Sequence, residues 1–151
     1  MLSESSRKKM DSVASVLDVG TGSGILGIAA ARLGAGRVLG LDIDPEALRV
    51  AEKNLGKNGV EGIMSVSNIP LHRLGETYDL VIANLTAPVI GQMAASLCSC
   101  VSPEGWLVLS GILNEQMEEV VKCFQAHYIK VVNSWSREEW RAILLRRKDQ
   151  A

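Results

Sequence analysis

Val16-Leu17-Asp18-Val19-Gly20-Thr21-Gly22-Ser23-Gly24 is the stretch that decides how the rest of this chain reads. An aliphatic run from Val13 reaches an acidic residue, then three glycines at alternate positions. The run suits a strand, Val13 to Val19, and the glycines suit a loop in which a ligand comes close to the backbone. Ile25 to Leu33 follows, Ala-rich and apolar nearly all round, and predicts a helix packed on a sheet. Gly34 and Gly36 stop it. A helix that begins near Gly24 offers unpaired N–H groups and a positive dipole end to an anionic group. Such a unit opens an α/β sheet, whose ligands sit at the carboxyl ends of the strands.

The same alternation continues outward. Arg37 to Ile43 has few polar residues, as expected of a parallel strand buried on both faces. Asp44-Pro45-Glu46 opens a helix, with Asp44 as an N-cap worth about 1 kcal/mol and Pro45 where its missing N–H costs nothing. Ala47, Leu48, Ala51 and Leu55 form its apolar stripe, ending near Asn58-Gly59. Gly62 to Ser67 predicts a third strand and Tyr78 to Ala83 a fourth. A helix follows from Ile90, with Met93, Ala94, Leu97, Cys98 and Val101 at helical spacing. Pro103-Glu104-Gly105 reads as a turn into a fifth strand, Trp106 to Ser110. Asn114 is expected to cap a helix carrying Met117, Val120, Val121 and Phe124. Ile129 to Trp135 and Trp140 to Arg146 close the chain as two strands joined by Ser136-Arg137-Glu138-Glu139. Residues 3 to 12 suit a short polar helix, with Arg7, Lys8 and Lys9 on a solvated face.

This pattern, β-α five times and then a hairpin-like pair, implies the α/β class. The expected architecture is a Rossmann-like, doubly wound sheet of about seven strands. It is mostly parallel with an antiparallel C-terminal strand, in one domain over 1–151.

The composition narrows the functional classes. The chain has 151 residues, 47% hydrophobic and 22% charged, with a formal net charge of −1. That suits a packed globule and argues against a surface built for nucleic acid, whose phosphates demand basic charge. Three cysteines, Cys98, Cys100 and Cys123, do not make a disulfide framework, and reduced thiols fit a cytoplasmic setting. His72 and His127 lack ligand-like spacing, so no metal is expected. The first fifteen residues carry charges and no apolar signal core. Leu80 to Pro103 holds no charged residue and has the length of a membrane span. Asn84, Gln92, two prolines and a change of pattern midway make it a strand, a turn and a helix instead, so no membrane partner is expected.

Two cofactors compete for the glycine loop. Gly22, Gly24 and Gly27 satisfy G-x-G-x-x-G, the dinucleotide fingerprint. The other frame, Asp18-x-Gly20-x-Gly22-x-Gly24, resembles the first motif of S-adenosylmethionine-dependent methyltransferases. Three features favour the second. The strand ends by Gly20, too early for a fingerprint that starts at Gly22. Asp18 suits the methionine amino group and would repel a pyrophosphate. An antiparallel tail belongs to the methyltransferase class. Asp42, at the end of the second strand, is read as the acceptor for both ribose hydroxyls. Asp44 competes for that role but already serves as a cap. Ser67 or Asn68 would meet the adenine edge. Ala83-Asn84-Leu85-Thr86-Ala87 ends the fourth strand, where a methyl acceptor would lie. It is not the Asn-Pro-Pro-Tyr form of enzymes that methylate nucleobase or glutamine amides.

Five segments in order carry a more specific resemblance. They are Leu17 to Leu26, Leu41-Asp42-Ile43-Asp44-Pro45, Ala83-Asn84-Leu85-x-Ala87, Ser110-Gly111-Ile112-Leu113 and Glu139-Trp140. Together they look like the catalytic domain of the ribosomal protein L11 methyltransferase family, PrmA. The resemblance implies transfer of a methyl group from S-adenosylmethionine to lysine or N-terminal amines of a ribosomal stalk-base protein. It implies Asp18, Gly20, Gly22 and Asp42 as cofactor residues and Asn84 at the acceptor. The full candidate cofactor set is Asp18, Gly20, Thr21, Gly22, Gly24, Asp42, Ile43, Asn68 and Asn84, with Asn84 also the candidate catalytic residue. Family members also carry an N-terminal recognition domain joined through a linker; Ser5-Ser6-Arg7 stands for the end of the stretch just before the catalytic domain, and the recognition domain itself is expected to be absent. A small-molecule methyltransferase, a NAD-binding oxidoreductase domain and a non-catalytic cofactor-binding module are the alternatives. The residues give no reading of oligomeric state and no general base, and His72 reads as a surface histidine.

Overall fold

The computed structural model describes residues 14–148. The expected helix over 3–12 and Ser5-Ser6-Arg7 lie outside them. The chain divides between Asn68 and Ile69 into two compact units.

The first unit is a three-stranded parallel sheet in the order β3-β2-β1: β1 Ser15–Val19, β2 Arg37–Leu41 and β3 Met64–Ser67. Four of the five β1 residues are buried, as an interior parallel strand requires. Helix α1, Ile25–Arg32, follows β1, and α2, Pro45–Asn58, follows β2. The α1 residues Ile28 and Ala31 are buried with Ala51 and Leu55 of α2 among Val16, Leu17, Val38, Leu41 and Met64. Asp44 caps α2 as expected, its Oδ1 accepting the Glu46 N–H at 3.0 Å, and Gly59 ends the helix at φ 65°. The second strand is shorter than the sequence suggests. It ends at Leu41, because the Asp42 side chain accepts the Asp44 N–H at 3.0 Å and turns the chain into α2.

The second unit contains β4 Tyr78–Asn84, β5 Val101–Leu113, β6 Ile129–Arg137 and β7 Trp140–Arg147, in the order β4-β5-β7-β6. The β4–β5 pair is parallel, and β7 runs antiparallel to both of its neighbours. Helix α3, Ala87–Ser99, packs on β5 and on α4, Met117–Phe124. Tyr78, Val81, Leu107, Leu109, Ile112, Ile143, Ile90, Leu97 and Phe124 make its core. The uncharged run Leu80–Pro103 is thus most of β4, all of α3 and the start of β5. No helix among the described residues is long and apolar enough to cross a membrane. The seven strands, their helical crossovers and the reversed β7 make the Rossmann-like α/β class expected from the sequence.

Three local expectations change. The link from β3 to β4 carries a single 3-10 turn, Leu71–Arg73, so the strand–helix alternation occurs four times, not five. Pro103-Glu104-Gly105 lies within β5 as a bulge: Tyr78 pairs with Val101 and Leu80 with Trp106, and Glu104 takes φ 62°. Asn114 does not cap α4 with its side chain. It starts a 3-10 turn, Asn114–Gln116, in which the Gln116 side chain accepts the Leu113 N–H at 3.0 Å. The Asn114 side chain reaches the β6–β7 turn instead.

Candidate active site

In the first unit the loop between β1 and α1 is set by three left-handed glycines: Gly20 at φ 71°, Gly22 at 55° and Gly24 at 87°. Such angles strain any residue with a Cβ. The loop is then fastened from both sides. Gly20 and Thr21 both donate their N–H to the Leu41 carbonyl at 2.8 Å. The Thr21 hydroxyl donates to Asp18 Oδ2 at 2.7 Å, and Gly27 N–H donates to the same oxygen at 3.1 Å. Asp42 Oδ2 accepts from Gly22 N–H at 2.9 Å, and Asn54 of α2 donates to the Ser23 carbonyl at 2.8 Å.

The two aspartates therefore occupy different places. Asp18 is 1% exposed, and its visible bonds serve the loop and the first turn of α1. Burial holds its carboxyl above the ordinary aspartate value. The Thr21 and Gly27 hydrogen bonds oppose that, and the charge of Asp42 adds to it. Asp42 is half-buried, with one oxygen on Gly22 and the other on Asp44. A carboxylate has about four lone-pair sites, so each oxygen keeps room for a further donor. Beside it Ile43 is 90% exposed, an apolar side chain held in the open next to a carboxylate. Asn68 is exposed just past the end of β3, and Ser67 bonds through its carbonyl to Asp42 N–H. A Cβ on Gly22 would meet nothing within 4 Å, so its left-handed φ and not crowding asks for glycine there. Gly40 is required from beneath: a Cβ there would lie 2.7 Å from the Thr21 hydroxyl.

In the second unit Asn84 ends β4 opposite Ser110 of β5. It borders an open groove of about 420 Å³ lined also by Ser110, Gly111, Trp135, Trp140 and Arg141. Gly111 takes φ 82°, and a Cβ on it would come within 2.9 Å of Asn84 Oδ1 and 2.8 Å of the Leu85 carbonyl. Glycine here lets β5 pass close to Asn84. Trp135 and Trp140 are about half exposed. Strand alternation places them on one face of the hairpin with Arg137 and Ala142, since Trp135 pairs with Ala142 and Arg137 with Trp140. The third tryptophan, Trp106, is covered by the Arg146 guanidinium 4.8 Å from its ring centroid. The aromatic wall was not among the candidate site residues. The signal was available as two tryptophans flanking a polar turn in an aromatic-poor chain.

The model of the family described as "Ribosomal protein L11 methyltransferase (PrmA)" matches residues 2–148. This chain belongs to the PrmA family. It is 43% identical over 130 residues to the ribosomal protein L11 methyltransferase of Geotalea daltonii, covering 86% of this chain and 41% of the relative. It is 44% identical over 133 residues to that of Dechloromonas aromatica, covering 88% and 44%. The chain thus spans about two-fifths of the length of the curated PrmA relatives it matches. Among solved structures, a ribosomal protein L11 methylase from Lactobacillus delbrueckii subsp. bulgaricus superposes with a TM-score of 0.88 at 30% identity. That match covers 95% of this chain and 74% of the other. A magnesium protoporphyrin IX methyltransferase from Synechocystis, solved with bound SAM, shares the fold at a TM-score of 0.74 and 19% identity. The PrmA segments read from the sequence gather around the two places described. The first two form the glycine loop and the Asp42 turn. The other three surround the groove, where Leu113 pairs with Trp140.

Proposed function

We propose that this chain transfers a methyl group from S-adenosylmethionine to a protein amine, a lysine side chain or an N-terminus. The acceptor is the protein named for its relatives, ribosomal protein L11, at the base of the ribosomal stalk. The observation that carries the reading is the glycine loop fixed between Asp18 and Asp42, within a PrmA family match over nearly the whole chain. A cytoplasmic setting follows from such a substrate.

The residues present fit this cofactor. Asp42 would accept the ribose hydroxyls on its remaining lone pairs, and Ile43 would cover one face of the adenine. Asn68 would meet the adenine edge. The loop of Gly20, Thr21, Gly22 and Gly24, with the open first turn of α1, would hold the amino-acid end through backbone N–H groups. Asp18, buried beneath Thr21 and Gly27, keeps that loop in shape. When bound, the cofactor supplies an electrophilic methyl on a sulfonium. The protein's part is to align an amine lone pair behind the S–CH₃ bond. A free lysine amine titrates near 10.4, so deprotonating it at pH 7 costs about 4.6 kcal/mol. A groove walled by indole rings lowers that cost by desolvating the ammonium. The Asn84 carbonyl oxygen orients the neutral amine.

Radiolabelled methyl transfer from S-adenosylmethionine to purified ribosomal protein L11 tests the reading. Label in the protein, resistant to RNase, is the expected result. Transfer only to small-molecule amines would favour the metabolite alternative. Asn84→Ala is expected to bind S-adenosylhomocysteine normally and lose at least about tenfold in kcat. Full activity in that variant would remove Asn84 from the site.

A further inference from the structure

We propose that Asn114 is a positioning residue for the acceptor groove, the pin that sets its aromatic wall. It stands at the junction of β5 and α4 and is not among the residues lining the groove. Three hydrogen bonds leave it for the β6–β7 hairpin. Its backbone N–H donates to the Glu139 carbonyl at 2.9 Å, and Nδ2 donates to the Glu138 carbonyl at 2.8 Å. Oδ1 accepts from Arg141 Nε at 3.2 Å. Both residues of the hairpin turn and the start of β7 are thereby held by one side chain and its own backbone. Arg141 carries the grip across the hairpin, donating from its guanidinium to the Ser134 hydroxyl on β6 at 3.3 Å.

The hairpin needs such a pin. β6 is the last strand of its sheet, and Ile129 is its only buried residue. The burial that would otherwise fix a strand is missing at the far end, where Trp135 and Trp140 sit half in water. Glu138 in the turn takes φ 55°, a conformation that a residue with a Cβ holds only when its surroundings enforce it. A simple helix-capping role does not account for the Asn114 side chain: α4 has no side-chain cap, and Asn114 Nδ2 and Oδ1 are both engaged by the hairpin. The aromatic wall thus inherits its position from a residue outside the groove.

This inference rests on the acceptor reading above, and its test separates the two. Asn114→Ala and Asn114→Asp are made in the full chain, and amide hydrogen exchange is measured over residues 129–147. Steady-state kinetics are measured with S-adenosylmethionine and ribosomal protein L11. In Asn114→Ala the hairpin exchanges faster and the KM for the acceptor rises roughly tenfold, the scale of two lost hydrogen bonds. kcat and the KM for S-adenosylmethionine stay within about twofold. Asn114→Asp, which keeps an acceptor for Arg141 Nε but loses the donor to the Glu138 carbonyl, gives an acceptor KM between the wild-type and alanine values and also serves if the alanine variant folds poorly. Unchanged hairpin exchange, or an equal loss in kcat and both KM values, overturns the proposal. A wild-type chain that labels no ribosomal protein L11 overturns the functional reading instead, and the exchange rates alone then decide the pin.

Discussion

The glycine loop of the first unit and the groove of the second, proposed above to take the acceptor, use hydrogen bonds in different ways. In the loop, every fastening but the one from Asn54 is short in sequence or crosses to the adjoining strand end: Asp18 to Thr21 and Gly27, Leu41 to Gly20 and Thr21, Asp42 to Gly22. The shape is over-determined, and the glycines make it accessible at no steric cost. The groove draws on Asn84 at the end of β4, on Ser110 paired with it within β5, and on tryptophans from an outer hairpin with little buried surface. Its wall hangs on a few polar contacts around Asn114. On the proposed reading, a rigid cradle suits one invariant cofactor, and a lightly anchored wall suits an acceptor presented by another protein.

Substitutions that touch one region and spare the other sharpen this contrast. The largest effect is expected at Asp42, whose carboxylate makes two charged hydrogen bonds inside the cradle. The ribose hydroxyls proposed to donate to its remaining lone pairs would add bonds to a charged group, worth about 1.5–3 kcal/mol each, so Asp42→Ala is expected to lower S-adenosylhomocysteine affinity about a hundredfold or more by calorimetry. Hydrogen exchange in the β6–β7 hairpin stays unchanged. Next comes Trp135→Ala. It raises the acceptor KM about tenfold through the loss of an indole face that packs against the apolar stem of the acceptor side chain. Because Trp135 is half exposed, thermal stability and S-adenosylhomocysteine affinity barely move. An equal loss of both affinities in either variant would break the comparison.

The smallest effect is in pH dependence. The folded chain holds Asp18 above the ordinary aspartate value of 3.8, chiefly through burial. The unfolded chain therefore loses that proton first as pH rises. The stability that Asp18 contributes is complete below 3.8 and declines up to the folded value, then stays level. Asp18→Asn removes this decline from a plot of unfolding free energy against pH between 3 and 7. A fall of the same size in the variant would show that another group titrates there.

How much of this could be read from residues follows from the same contrast. The loop was legible because alternate glycines after an aliphatic run have few other uses, and Asp44-Pro45 marks the start of α2 by local rules alone. The inner position of Asp18 was not legible: an acidic residue at a strand end reads alike whether it faces a ligand or the underside of its own loop. The bonds to Thr21 and Gly27 decide that only in three dimensions. Asn114 failed in the opposite way. Its type and place satisfy the rule for an N-cap, yet its Oδ1 accepts from Arg141 and not from a helix N–H. Its side chain serves a hairpin turn 24 residues further along. The groove residues Trp135 and Arg141 carry no motif spacing, since only β5–β7 and β6–β7 register brings them near Asn84 and Ser110.

The central claim is that the cradle between Asp18 and Asp42 is made for S-adenosylmethionine and not for a dinucleotide. Isothermal calorimetry of the full chain with S-adenosylhomocysteine and with NAD, side by side, tests it most directly. The account predicts one S-adenosylhomocysteine per chain at micromolar affinity, about 8 kcal/mol, and no heat with NAD. Tight NAD binding without S-adenosylhomocysteine binding would contradict it.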